Sequence, residues 1–308
     1  MKSTTFDTPG TELQRLTFNP QPRTHRSYGV SIRFYEAGEK LSSRLDYQAH
    51  VSFEKYRHQH QCWQVTIDRS DLYFDRHEPD LISEQLAAAS MRALYPVKVD
   101  IDHRNHILGG LKNHQEIQQR WAEAAANLLD KFEGTLARAF VEKMNRQIED
   151  PWRILDALNN DMFWNIFFHD RYEDRSENEA PATDFIFAAL PYRRVVFNGQ
   201  QTLDETPSDY GTFTLRYNGK AQLTAIPGEQ PGQANASLQA QLDLDKRDGV
   251  LRYATATCLL PTQLQAGESI RFSAYRIGNE VETEQLSDNL VVEEESKKPK
   301  GFWQRIFN

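Results

Sequence analysis

His58, His60 and Cys62 stand at alternate positions, and on an extended strand alternate side chains share one face. Two imidazoles and a thiol are ligands that zinc or copper favours, and Asp68 is the first carboxylate downstream that could complete such a set. The positions between and after them, Trp63, Val65 and Ile67, are apolar and mark the core face of the same strand. The histidines therefore belong with Gln64 and Thr66 on a wetter face, and the expectation is no bound metal and no other cofactor. An enzymatic reading would centre on His58, His60 or His103.

A second candidate is a repeated hairpin. Asp100 to Leu108 aligns without a gap on Asp243 to Leu251, with identity at Asp100/Asp243, Asp102/Asp245, Arg104/Arg247 and Leu108/Leu251. Asp100, Asp102 and Asn105, or Asp243, Asp245 and Asp248, resemble hard-cation ligands, but they recur at positions 1, 3 and 6, whereas a calcium loop needs oxygens at 1, 3 and 5 and a Glu at about position 12. The spacing predicts two turns whose Asp side chains accept local amides, with Asn105 or Gly249 at positive φ. The chain has no Gly-x-Ser-x-Gly elbow, Gly-x-x-x-x-Gly-Lys loop, Gly-x-Gly-x-x-Gly turn or His-Glu-x-x-His helix. Catalysis is the less favoured class on that ground, although dispersed sites leave no such signature.

Aromatic residues give two further candidates. Trp152, Phe163, Trp164, Phe167 and Phe168 are dense enough to surround a helix; they would be buried core or the lining of a site for an apolar small molecule or lipid between helices and sheet. At the other end, Lys297, Lys298 and Lys300 precede Phe302, Trp303, Arg305, Ile306 and Phe307. A basic spacer before an aromatic turn suits a hook for a protein partner, or a weak contact with an anionic membrane.

The elements that must hold these residues follow from periodicity. Val30, Ile32 and Phe34, then Tyr47 to Phe53, then Trp63 to Ile67 alternate and predict antiparallel strands. Leu81, Ile82, Leu86, Ala89 and Ala93 fit a helix over 78–94, with Pro79 in its first turn. Asn113 and Glu116 form a capping signal for a run reaching Ile148, which Gly134 bends or divides and Pro151 ends, and another helix is predicted over 152–169. Past a charged linker at 171–183, short strands are predicted at 185–190, 193–198, 212–217, 221–226, 237–244, 250–258, 269–277 and 281–286.

Strands, helices, then strands predict an α+β fold with a curved antiparallel sheet built from N- and C-terminal strands around a central helical segment. The division is a tail or strap at 1–26, strands and helices at 27–172, a β region at 183–290 that either stands alone or completes the same sheet, and a tail at 291–308. With 308 residues, 39% of them hydrophobic, the chain can bury a large core. A net charge of −8 argues against nucleic acid as a partner. No apolar stretch follows Met1, which predicts a soluble, cytoplasmic protein. The reading is a noncatalytic binding or adaptor protein, with the apolar carrier and the enzyme as alternatives.

Overall fold

The computed structural model describes residues 16, 18–57, 61–170, 182–190, 193–204, 206–224, 233–261 and 268–278. Three long strands open it, β1 (Thr24–Glu36), β2 (Lys40–Arg57) and β3 (Cys62–Phe74). The middle comprises α1 (Ile82–Leu94), the short strands β4 (Val97–Ile101) and β5 (Ile107–Leu108), then α2 (His114–Lys131), α3 (Thr135–Glu149), α4 (Pro151–Leu158) and α5 (Met162–Phe167). Six strands follow: β6 (Ala182–Leu190), β7 (Arg193–Leu203), β8 (Thr212–Thr224), β9 (Gln233–Asp245), β10 (Leu251–Leu259) and β11 (Ser269–Ile277).

All eleven strands form one antiparallel sheet in the order β5-β4-β3-β2-β1-β11-β10-β9-β8-β7-β6. The α+β expectation is corrected by this topology: the fold is sheet-dominated. The difference has a local cause. Strands that the turn-forming residues were expected to interrupt run through them, as in β8, where Asn218 and Gly219 sit inside a 13-residue strand and pair with Gln200, Gly199 and Gln239, Leu238. Gly219 is needed there for another reason, since a Cβ would lie 2.3 Å from the Tyr217 hydroxyl.

Helices, by contrast, are shorter than periodicity alone suggested. Gly134, at φ 118°, divides the predicted long helix into α2 and α3. Pro151 opens α4 instead of only ending α3, with Asp150 accepting the Trp152 amide at 2.9 Å. Asp161 interrupts the expected 152–169 helix and caps α5 through the Trp164 amide at 3.0 Å. Asn113 does not cap α2 with its side chain. It bridges instead to β4, accepting from the Lys98 amide and donating to the Pro96 carbonyl.

One face of the sheet carries the core. Tyr28, Val30 and Ile32 on β1, Tyr47 to Phe53 at alternate positions on β2, Leu238 and Leu242 on β9 and Ala254 and Ala256 on β10 are buried in one continuous cluster that includes α5. The sheet is curled about that helix. Phe163 and Phe167 pack on Tyr28 of β1, near the middle of the sheet, with ring centroids 5.7 and 5.9 Å away. Asn105, in the turn leading to edge strand β5, donates to the Phe167 carbonyl, while His169 stacks on Phe185 of the opposite edge strand β6 at 3.9 Å. α5 and the His169 that follows it thus reach the middle and both margins of the sheet. Among the described residues no helix is long and apolar enough to cross a membrane.

Candidate functional site

The polar face of β7 to β10 holds an open groove of about 460 Å³. Its walls come from paired positions on four adjacent strands: Gln200 and Thr202, Arg216 and Asn218, Gln239 and Gln241, and Thr255 and Thr257. Strand pairing aligns them in two rows, Thr202–Arg216–Gln241–Thr255 and Gln200–Asn218–Gln239–Thr257. They share a face because alternate residues of a strand do, and the flanking Leu215, Leu238 and Leu242 are held in the core. Seven of these eight side chains are neutral hydrogen-bonding groups, and Arg216 is paired with Asp204. The groove can thus offer amides and hydroxyls as both donors and acceptors to a polar ligand.

At its margin, Thr214 donates to Asp243 at 2.9 Å and Gln241 donates to the same carboxylate at 3.2 Å. Tyr253, which pairs with Asp243 across the strands, is partly exposed, and its hydroxyl pKa is raised by burial and by the Asp243 charge. Tyr275 lies opposite Tyr253 and is 51% exposed. Its ring rests over Gly29, where a Cβ would come within 2.5 Å of it. Beneath the groove, the Tyr217 hydroxyl donates to the Phe197 carbonyl at 2.5 Å, and burial pushes its pKa up to about 12.

The residues singled out by sequence lie elsewhere. His58 and His60 fall outside the described residues, as do Phe302, Trp303, Arg305, Ile306 and Phe307 and the strand expected at 281–286. Cys62 is buried, whereas its face was expected to be wet. Its thiol pKa is raised by burial and by Asp100, and that carboxylate is bound by Arg57 and Lys112. Cys62 and Cys258 are both free thiols. No cluster of three metal-ligating side chains occurs among the described residues.

His103 is exposed in the β4–β5 turn. There Asp102 accepts from the amides of Arg104 and His106, and in the matching β9–β10 turn Asp245 accepts from Arg247. Asn105 and Gly249 take positive φ, 68° and 69°. Asp102 and Asp245 are thus engaged by their own turns, while Asp100 and Asp243 are held by side chains outside the turns.

Of the aromatic series, Phe163, Trp164 and Phe167 are fully buried, Phe168 is half-buried and Trp152 is 66% exposed on α4. The structure brings four of the five together and leaves Trp152 apart. His169, just past α5, is buried, stacked on Phe185 and hydrogen-bonded to Gln201 at 2.7 Å.

The start of α5 is fixed by a buried ion pair. Arg69 Nη2 lies 2.7 Å from Asp161 Oδ1, and its guanidinium sits between the rings of Tyr47 and Tyr95 at 4.4 and 4.5 Å. Burial works against the charge of Arg69, but Asp161 and the two tyrosines outweigh it and raise the pKa. Burial raises both tyrosine pKa values, against the opposing pull of Arg69. Trp164 Nε1 donates to the Tyr95 hydroxyl at 2.9 Å and completes the cluster. These groups position the helix; they do not face the groove.

Sequence reasoning missed the groove because it searched for reactive residues. A signal was present: Gln-x-Thr, Arg-x-Asn, Gln-x-Gln and Thr-x-Thr in successive strands give an amide and hydroxyl face where a plain solvent face would carry mixed charges. No family model and no curated protein matches this chain. Among solved structures it is similar to a chain described as "lipid-protein interactions in lipovitellin", with a TM-score of 0.43 and 10% identity, over 84% of this chain and 25% of that one. The chain spans about a quarter of that protein's length, and a likeness so distant says nothing about function.

Proposed function

We propose that the protein acts by binding, and that its ligand is a neutral polyhydroxylated molecule of the oligosaccharide class, held along the groove of β7 to β10. The observation that carries this reading is the two aligned rows of amide and hydroxyl side chains in a 460 Å³ concavity. Planar amides present a donor and an acceptor side by side, which matches vicinal hydroxyls, and the exposed rings of Tyr253 and Tyr275 offer apolar faces beside them. Calorimetric titration with neutral malto-, cello-, manno- and chito-oligosaccharides tests it. Binding by at least one series should weaken about tenfold or more in Gln239→Ala/Gln241→Ala, since two hydrogen-bonding groups are lost at roughly 1 kcal/mol each. No binding in any series, or binding indifferent to the double substitution, would overturn it.

A second reading is the carrier of an apolar ligand between sheet and helices, for which the support is an aromatic helix lying in the hollow of a curled sheet. Tyr28, Phe163 and Phe167 occupy that volume, so such a ligand must displace α5. Lipid recovered in stoichiometric amount from purified protein would favour it over the groove. The adaptor role of the C-terminal residues 297–308, with a protein partner or an anionic membrane, rests on their sequence alone.

A further inference from the structure

On the same polar face, beyond Thr257, the register places three arginines in direct succession: Arg271 on β11, Arg33 on β1 and Arg44 on β2. Cross-strand neighbours stand about 5 Å apart, and like charges so placed are destabilising. The outer two have local carboxylates, Arg271 with Glu39 at 2.6 Å and Arg44 with Asp46 at 2.7 Å. Arg271 also lies over the Tyr35 ring at 4.5 Å. Arg33, in the middle, has no ion pair or hydrogen bond among the described residues, and its Nε is buried without a partner. In the adjoining row, Ser31 is 93% buried with its hydroxyl likewise unpartnered. Glu39, Asp46 and Asp75, whose carboxylate accepts the Arg44 amide at 2.6 Å, border the row, and none of the three pairs with Arg33.

We propose that this row binds a tetrahedral oxyanion, a phosphate or sulfate group, centred on Arg33. A planar guanidinium fork matches two oxygens of such a group, and an anion there would give Arg33 the counter-charge that Arg271 and Arg44 already have. The Ser31 hydroxyl lies one row away as a further donor. The site is independent of the groove's ligand, because an inorganic anion alone is enough to fill it. Its source, a free ion or a phosphate ester on a larger molecule, is separated by the probes.

The full chain is titrated calorimetrically with sodium phosphate, sodium sulfate and glycerol 3-phosphate, against sodium chloride at matched ionic strength. The expected result is saturable 1:1 binding of phosphate or sulfate, at least tenfold weaker in Arg33→Gln and intermediate in Arg33→Lys, which keeps the charge and loses the fork. Tighter binding of glycerol 3-phosphate than of the free ion identifies an ester as the source; equal or weaker binding identifies the free ion. Thermal melts give a second readout. In low salt without phosphate, Arg33→Gln should melt no lower than the parent, and added phosphate should raise the parent's melting temperature and not the variant's. No saturable binding beyond chloride, or equal affinity in parent and Arg33→Gln, would overturn the site. If Arg33→Gln does not fold, the same comparison is read on Arg33→Lys, where undiminished affinity is the contrary result.

Discussion

Arg69 shows how one side chain fixes the position of α5. Its partner Asp161 both pairs with it and caps the helix, so Arg69→Met leaves a carboxylate without its cation between two buried phenols. A loss of about 3 kcal/mol is expected, the low end of the range for breaking a buried pair, because Asp161 retains 21% side-chain exposure. Urea unfolding of Arg69→Met measures it, and Arg69→Met/Asp161→Asn should recover part of the loss. Buried acids set the response to alkali. Burial pushes Cys258 up to about 12 and Tyr217 up to about 12, so both stay protonated in the fold after the unfolded chain has begun to ionise. Their contribution is fully present below about pH 9, the ordinary thiol range, and is lost as pH climbs toward 12. Melting temperatures from pH 7 to 11 should be flat to about pH 9 and then fall, with Cys258 unreactive toward a thiol reagent at pH 8. Rapid labelling of Cys258 in the native protein would contradict its place in the core.

At the scale of elements, close strand contacts matter more than turn signals. Gly199 pairs with Gly219, and a Cβ on Gly199 would lie 2.2 Å from the Asn218 carbonyl oxygen. Gly199→Ala should therefore destabilise by about 2 kcal/mol through backbone displacement, read as a lower denaturant midpoint with an unchanged slope. In the β9–β10 turn, Gly249→Val should cost about 1 kcal/mol or more, since its φ of 69° strains a β-branched residue. The second cost was legible in the sequence and the first was not. A turn glycine is announced by its Asp and Asn neighbours, whereas a glycine inside a strand is explained only by what approaches it. The same limit separates the elements that periodicity placed correctly from those it did not. Alternation at Val30 to Ile32 or Trp63 to Ile67 reports a buried face directly, while the break at Asp161 depends on a distant Arg69. The groove was readable as composition in each strand, but its assembly required the pairing of four strands.

For the molecule as a whole, the pairing of β1 with β11 is the join that makes one sheet of the two strand-rich regions. The curl of that sheet places α5 inside and leaves the amide and hydroxyl rows outside, so the interior is occupied and the polar face is accessible. Phe167→Ala should cost about 3–5 kcal/mol by opening a cavity against Tyr28 and Phe163, yet in folded protein it should leave oligosaccharide affinity unchanged; a matching loss of affinity would place the ligand inside. The most direct measurement is amide hydrogen exchange of the full chain with and without a saturating oligosaccharide. Slowed exchange should be confined to segments of β7, β8, β9 and β10, with 162–167 unaltered. Altered exchange in 162–167, with none in those four strands, would contradict an outer-face site and favour displacement of α5.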